Sequence, residues 1–293
     1  MDFEKILDNL WGYDCEVTKY DNLFVFINYR THETHIFHNA TADELNTFIS
    51  KPNMVLIGYN NRGYDKYILQ SVIAGCDVTE VKEVNDYIID GNNGYELDIP
   101  YVKVPPQIDI FPEITPRKSL KEIEGILCMD ITESTVDFNI DHKWSKDETD
   151  EMIFYCIKDT EALFPIFEKL IKKYKAKYII SQLGSIESVY ALTQTDANLT
   201  AILLGASKKE HNDAYNYIYP SVVDKSKIPK EFIDRIDDCV INQHDEDYIN
   251  SLKPVEINFE GGSTGYVNYG GIHIAKPYTF CYTEDEVSDI ECA

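Results

Sequence analysis

Three things are scarce in this sequence of 293 residues: positive charge, long apolar runs and closely paired cysteines. Lys and Arg together number 27 against 51 Asp and Glu, so the formal net charge is -24. A charge of that sign repels phosphate backbones and argues against tight binding to duplex DNA through a broad basic surface. Any contact with nucleic acid is therefore expected to be local and to need divalent cations at a carboxylate cluster.

The other two absences exclude further classes of protein. No apolar run approaches the roughly 18 residues that a membrane-spanning helix needs, and residues 1–5 lack the basic-then-apolar order of a signal peptide. We therefore expect no membrane partner and an intracellular, cytoplasmic location. The seven cysteines are scattered without a C-x-x-C pair, which favours reduced and mostly buried thiols over a disulfide framework or a zinc site.

Hydrophobic patterning and turn signals predict alternating strands and helices. The predicted strands cover 9–16, 22–29, 33–38, 54–58 and 107–111. The predicted helices cover 41–50, 65–74, a segment capped by Ser119, 146–173 with Ser145 or Asp147 as its cap and a bend at Pro165, and 196–206. The run at 54–58 is apolar throughout, which is typical of a central strand buried on both faces.

Carboxylates occur at two places where the predicted elements put them on one face. Asp14 and Glu16 are two residues apart in the first predicted strand, so their side chains lie on the same side of the sheet. Tyr155 and Asp159 are four residues apart in the long predicted helix, so they also share a face. Both pairs are able to converge on one site.

A third motif, Asn61-x-x-Tyr64-Asp65, lies between the central strand and the next helix. Each motif has an ordinary structural interpretation by itself. Those interpretations are a solvated strand end for Asp14 and Glu16, a helix N-cap for Asp65, a half-buried core aromatic for Tyr155 and an exposed helix face for Asp159. The three motifs in this order, with alternating elements between them, are improbable by chance.

The stretches "YDCEV", "GYNNRGYD" and "YCIKDTEAL" resemble the three exonuclease motifs of bacteriophage family-B DNA polymerases, which belong to the tyrosine subtype of the DEDD 3'-5' proofreading exonucleases. The stretch "PRKSLKEIEG" is also similar to the phage members. The resemblance implies an α/β fold of the ribonuclease-H-like kind, with a mixed five-stranded sheet flanked by helices. We expect that exonuclease domain over 1–178 and a smaller C-terminal α+β extension over 179–293.

The resemblance also implies roles for the carboxylates and the tyrosine. Two divalent ions, Mg²⁺ or Mn²⁺, would be bound, and such hard cations prefer oxygen ligands. Asp14 would bridge both ions, and Glu16 and Asp159 would complete the site of the ion that activates water. Asp65 would hold the second ion through water. Tyr155 would orient the attacking water.

Four further residues are candidates for contacts with the substrate. Asn61 and Tyr64 are expected to contact or stack on the frayed end of the strand, because aromatic rings accept any base. Lys118 and Lys121 are candidate phosphate contacts. The alternative for both lysines is an ordinary solvated position on a helix.

The C-terminal third resembles the same polymerases more thinly. "YGGIHIAK" at 269–276 is similar to a segment that precedes the palm, and "SDIECA" at 288–293 is similar to the approach to the first polymerase carboxylate motif. The continuation of that motif is missing, so polymerisation is not expected from this chain alone. The expected partners are the 3' end of single-stranded DNA and a remaining polymerase fragment. An oligoribonuclease-like nuclease and a non-catalytic assembly module of a split polymerase stay open as alternatives.

Overall fold

The computed structural model describes residues 1–206, six positions between 224 and 237, and the segments 255–258, 264–268 and 271–275. It divides the chain into two compact units, Met1–Ser207 and Lys208–Ala293. Within the described residues, no helix combines the length and the apolar composition that crossing a bilayer requires.

The first unit is an α/β structure built on one five-stranded sheet. Its strands are β1 (Leu10–Val17), β2 (Asn22–Asn28), β3 (Thr34–His38), β4 (Val55–Gly58) and β5 (Gln107–Asp109). Their order is β3-β2-β1-β4-β5, with β1 antiparallel to β2, β2 antiparallel to β3, and the β1–β4 and β4–β5 pairs parallel. This mixed order confirms the predicted ribonuclease-H-like sheet. All five predicted strands are present.

Helices cover both faces of this sheet. They are α1 (Phe3–Asp8), α2 (Ala42–Ile49), α3 (Asp65–Ile73), α4 (Val78–Ile89), α5 (Leu120–Ile126), α6 (Lys146–Leu183), α7 (Ser188–Thr193) and α8 (Asp196–Leu203). Short 3-10 turns occur at Gly94–Glu96 and Phe111–Glu113. Helices α2, α5 and α6 begin with the predicted caps, Thr41, Ser119 and Ser145, each in a reciprocal bond with a glutamate three residues on.

Alternation along β1 sends side chains to two separate cores. Trp11, Tyr13 and Cys15 pack with residues of α2, α3 and α4, whereas Leu10 packs with residues of α1 and α6. Asp14 and Glu16 therefore lie on the face that α6 covers.

Helix α6 is longer than the predicted 146–173. It continues through Pro165 to Leu183, and α7 and α8 follow it in the chain. The extra turns are held by Lys177, which is 2% exposed and whose ammonium donates to the Gln194 carbonyl at 2.7 Å and to Glu113. These contacts join residues 177–196 to the rest of the first unit, which runs to Ser207. The predicted boundary between residues 178 and 179 lies within this unit.

The second unit contains a three-stranded antiparallel sheet in the order β6-β7-β8, formed by Val255–Asn258, Thr264–Asn268 and Gly271–Ala275. Of the stretch 269–276, which resembles a segment preceding the polymerase palm, the structure describes only residues 271–275, which form β8. The stretch 288–293 lies outside the described residues. Among the cysteines, Cys15, Cys76, Cys128 and Cys156 are unpaired thiols, and the first and last of these are buried.

Gly12 sets the distance between β1 and α6. A Cβ atom at this position would lie 2.9 Å from Cε1 of Phe164 and 3.2 Å from Cγ2 of Thr160, and both of those residues are on α6. Real Cβ atoms rarely approach other atoms so closely in packed cores. The missing side chain therefore lets the helix that carries Asp159 lie directly on the strand that carries Asp14.

We predict that Gly12→Ala lowers the free energy of unfolding by about 1–3 kcal/mol, the usual cost of overpacking a core. The matched control is Gly125→Ala in α5, where the nearest atom to a new Cβ is 3.6 Å away. That change should leave stability unchanged or raise it by about 0.5–1 kcal/mol. Urea unfolding of the three proteins measures both effects, and equal midpoints for Gly12→Ala and the parent chain would contradict the packing argument.

Candidate active site

The end of β1 extends past the end of its neighbour β4. The parallel pairing runs only from Leu10 opposite Val55 to Gly12 opposite Ile57, and β4 ends at Gly58. The following residues of β1 therefore have β2 on one side and no strand on the other. Asp14 and Glu16 lie in this stretch, half-buried and on the face toward α6.

Helix α6 brings its own polar groups to the same place. The Cys156 thiol lies 3.6 Å from Oδ2 of Asp14. One carboxylate oxygen each from Asp14 and Glu16 and the Cys156 sulfur all lie within 4.8 Å of one another, a separation that one metal ion is able to bridge. Asp159, one turn further along and 7% exposed, raises the pKa of both Asp14 and Glu16 by its charge.

Asp65 closes the open edge of β1. It is the first residue of α3, 4% exposed, and its Oδ1 accepts hydrogen bonds from the Cys15 amide and the Cys15 thiol, both at 3.2 Å. The amide is on the edge that β4 leaves unpaired. Asp65 thus accepts a backbone hydrogen bond that a neighbouring strand would otherwise accept. Its carboxylate also lies near Asp14 and Glu16.

Burial and mutual repulsion make these carboxylates unusually hard to ionise. The pKa values of Asp14 and Glu16 are raised well above their ordinary range, first by burial and then by the neighbouring carboxylates. Burial raises the pKa of Asp65 to about 7 and also raises that of Asp159. Within the described part of the chain, the side chain of Glu16 has no hydrogen bond or ion pair. Such a set of oxygen donors fits a hard divalent cation, whose charge would relieve the repulsion.

Lys121 of α5 supplies the positive charge that contacts this cluster. Its ammonium is paired with Asp159, lies 3.4 Å from Oε2 of Glu124 and is 5.0 Å from the centre of the Tyr155 ring. The Tyr155 side chain is half-buried, and burial together with the charge of Asp159 raises its pKa above the usual range. The predicted residues Tyr155, Asp159 and Lys121 therefore lie together.

The other predicted substrate contacts lie differently. Asn61 is fully buried and its Nδ2 donates to the Ile108 carbonyl at 3.3 Å, so its side chain holds the loop after β4 and presents no atom to a ligand. The Tyr64 hydroxyl donates to Oδ1 of Asn85 at 2.6 Å, which fixes its half-buried ring. Lys118 lies 3.8 Å from Glu122 at the start of α5 and does not contact the described carboxylate cluster.

Two residues that shape the site were not predicted from the sequence. Cys156 could have been suspected because it directly follows Tyr155 in the third motif. Asp109 accepts the amides of Asn60 at 2.9 Å, Arg62 at 3.3 Å and Phe111 at 3.0 Å, and so anchors the loop that carries Asp65. The sequence feature that could have identified Asp109 is a carboxylate at the end of the predicted strand that follows the central strand.

Comparisons with known proteins find no match: no family model, no curated protein and no solved structure is similar to this chain at a significant level. The geometry of the site therefore carries the functional argument.

The raised pKa of Asp65 predicts a specific pH dependence of stability. Its pKa is 3.8 in an ordinary setting and about 7 in the folded protein, so between these values the folded state binds more protons than the unfolded state. Its contribution to stability is therefore complete at about pH 4 and is lost as pH rises through about 7. In chelator, we expect the melting temperature of the parent chain, relative to that of Asp65→Asn, to fall between about pH 4 and pH 7.

Addition of Mn²⁺ or Ca²⁺ should reduce this difference, because a bound cation favours the ionised carboxylates. Thermal unfolding of both proteins across the pH range, with and without the ion, is the measurement. Parallel profiles of melting temperature against pH for the parent chain and Asp65→Asn in chelator would show that folding does not raise the pKa of Asp65.

Proposed function

We propose that this chain is a metal-dependent 3'-5' exonuclease that removes nucleotides from the end of single-stranded DNA. The observation that supports this most is the convergence of four carboxylates from three distant stretches of sequence at the open end of β1. They are Asp14, Glu16, Asp65 and Asp159. Their order along the chain, and the strand and helices that carry them, agree with the DEDD exonuclease motifs that the sequence resembles. The reaction of those enzymes needs such a cluster.

Divalent ions held by these carboxylates would activate a water molecule and stabilise the departing 3' oxygen. Asp14 and Glu16 are suited to hold an ion because they share one face of β1, and Asp159 faces them from α6. Asp65, fixed by the Cys15 amide, would hold a second ion through water. In the net reaction, water adds to the terminal phosphorus and the bond to the 3' oxygen breaks, which releases a nucleoside 5'-monophosphate.

Tyr155 would position the attacking water rather than remove its proton. Because its pKa is raised by burial and by Asp159, the phenol keeps its proton at neutral pH and acts as a hydrogen-bond donor or acceptor. The Lys121 ammonium, which pairs with Asp159, lies 5.0 Å from the centre of the Tyr155 ring and so places the ring beside the cluster. A positioned hydroxyl of this kind aids the reaction by orientation.

Lys121 would contact the phosphate of the substrate. It is a half-buried cation beside the cluster in a chain of net charge -24, and its ammonium lies between Asp159 and Glu124. If Asp159 held a divalent ion, Lys121 would keep Glu124 as a partner and could turn toward an incoming phosphate oxygen.

The choice of DNA and of a polymerase setting rests on the resemblance of the motifs to phage family-B polymerases. In that setting the chain would supply proofreading, and a separate fragment would supply the palm. An oligoribonuclease-like activity would use the same carboxylates, so the substrate has to be tested directly. An RNA strand of the same sequence is the necessary comparison.

We predict that the purified chain with Mg²⁺ or Mn²⁺ shortens a 5'-labelled single-stranded DNA oligonucleotide stepwise and leaves duplex DNA largely intact. Asp14→Asn should lower the rate by at least about 100-fold, because losing a direct ligand costs more than the 10–100-fold typical of an outer-shell partner. Tyr155→Phe should retain more activity, with a loss below about 100-fold. Product ladders on denaturing gels give the rates.

Asp130→Asn is the matched control, since Asp130 is exposed and lies outside the carboxylate cluster. It should match the parent chain. Equal and mild losses in Asp14→Asn and Tyr155→Phe would refute the roles given to them. Absence of any ladder with either ion would favour the assembly module, and faster shortening of RNA than of DNA would favour the oligoribonuclease alternative.

A further inference from the structure

A second feature of the first unit is a groove along β5, the edge strand of the sheet. We call it the cationic groove and define it by Arg62 and Lys66 at the start of α3, the stretch 103–107, and Tyr190 and Thr193 of α7. A hollow of about 280 Å³ between α3 and α7 shares Val104, Pro105 and Pro106 with a second hollow of about 450 Å³, which Lys103 lines. The two hollows thus form one continuous surface.

In the described part of the chain, three cations of this groove form no ion pair with a carboxylate. Within the described residues, Arg62, Lys66 and Lys103 have no carboxylate at ion-pair distance, and Arg62 donates instead to the Thr193 carbonyl at 2.9 Å. Arg62 and Lys66 line the same hollow, and cations that lie close together favour an anionic ligand.

The one carboxylate that lines both hollows is already engaged. Glu187 accepts hydrogen bonds from the amides of Val189 at 3.1 Å and Tyr190 at 2.5 Å and so caps α7. Its charge is directed to the helix terminus. The net electrostatic character of the groove is therefore set by its three cations.

The rest of the wall suits bases rather than small anions. Val104, Pro105 and Pro106 form an apolar floor, and Tyr190 leaves 47% of its surface exposed at the rim. Proteins that hold single-stranded nucleic acids without sequence preference use cations along the phosphate backbone and aromatic rings on which the bases stack.

The groove also shares a loop with the carboxylate site. Arg62 and Lys66 belong to the same loop and helix start as Asp65, and Asp109 fixes this loop through the amides of Asn60 and Arg62. Asp65 faces β1, whereas its neighbour Lys66 faces the groove.

We propose that the cationic groove binds the phosphodiester backbone of the single-stranded substrate upstream of the 3' end. This inference rests on the proposed exonuclease function for its substrate. It assigns Arg62, Lys66 and Lys103 as backbone contacts and Tyr190 as a stacking surface.

The test compares binding of labelled single-stranded DNA of about three and about twelve nucleotides, lengths that bracket the smallest single-strand sites. Fluorescence anisotropy in chelator gives the affinity without hydrolysis. Arg62→Gln/Lys66→Gln should bind the longer strand about tenfold more weakly, and its slope of log K against log salt should shrink by about 1.4, or 0.7 for each lost phosphate contact. Binding of the short strand should change less than binding of the longer strand.

Lys169→Gln/Lys172→Gln on α6 is the control, because it removes the same charge from two exposed lysines outside the groove. It should keep the parent affinity and salt slope. Since Arg62 also bonds to Thr193, Lys66→Gln/Lys103→Gln serves as a second variant that breaks no hydrogen bond in the described structure. It should weaken binding of the longer strand in the same way.

Three outcomes would overturn the groove proposal. They are an unchanged salt slope in both groove variants, an equal loss of affinity in the Lys169/Lys172 control, and equally tight competition by a polyglutamate peptide of matched charge. Failure of the exonuclease function looks different. In that case no strand is shortened with any ion, while the groove variants still lose affinity for the longer strand.

Discussion

Repulsion among four carboxylates in one half-buried recess is the constraint on which the rest of the site depends. Asp14, Glu16, Asp65 and Asp159 all have raised pKa values, and Lys121 is the cation in contact with them. A protein does not keep such an arrangement for stability, because every one of these groups would be easier to ionise in water. Bound cations would relieve the repulsion, and on this ground we propose a metal-dependent site.

The fold holds these groups together through a few local features. The end of β1 passes β4, which exposes one edge for Asp65 and leaves Asp14 facing α6. Gly12 lets α6 approach that strand closely. Asp109 secures the loop before α3 with three amide bonds, so the same loop places Asp65 in the site and Arg62 in the groove. The carboxylate cluster and the groove thus share one loop.

Much of this could be predicted because it depends on local spacing. The period of two put Asp14 and Glu16 on one face of a strand, and uninterrupted apolar runs marked the central strands. The burial of Asn61, the contact between Lys121 and Asp159, and the length of α6 could not be predicted. Each of these depends on a partner far away in sequence, such as Ile108 for Asn61 or Gln194 for Lys177.

The central claim is that this cluster binds divalent cations through its carboxylates. Titration of the chain with Mn²⁺, followed by the loss of the free-ion electron paramagnetic resonance signal, tests it without any substrate. The account predicts saturable binding by the parent chain and by Asp130→Asn, and a clear loss of bound Mn²⁺ in Asp14→Asn. The same bound fraction in Asp14→Asn and the parent chain would contradict it.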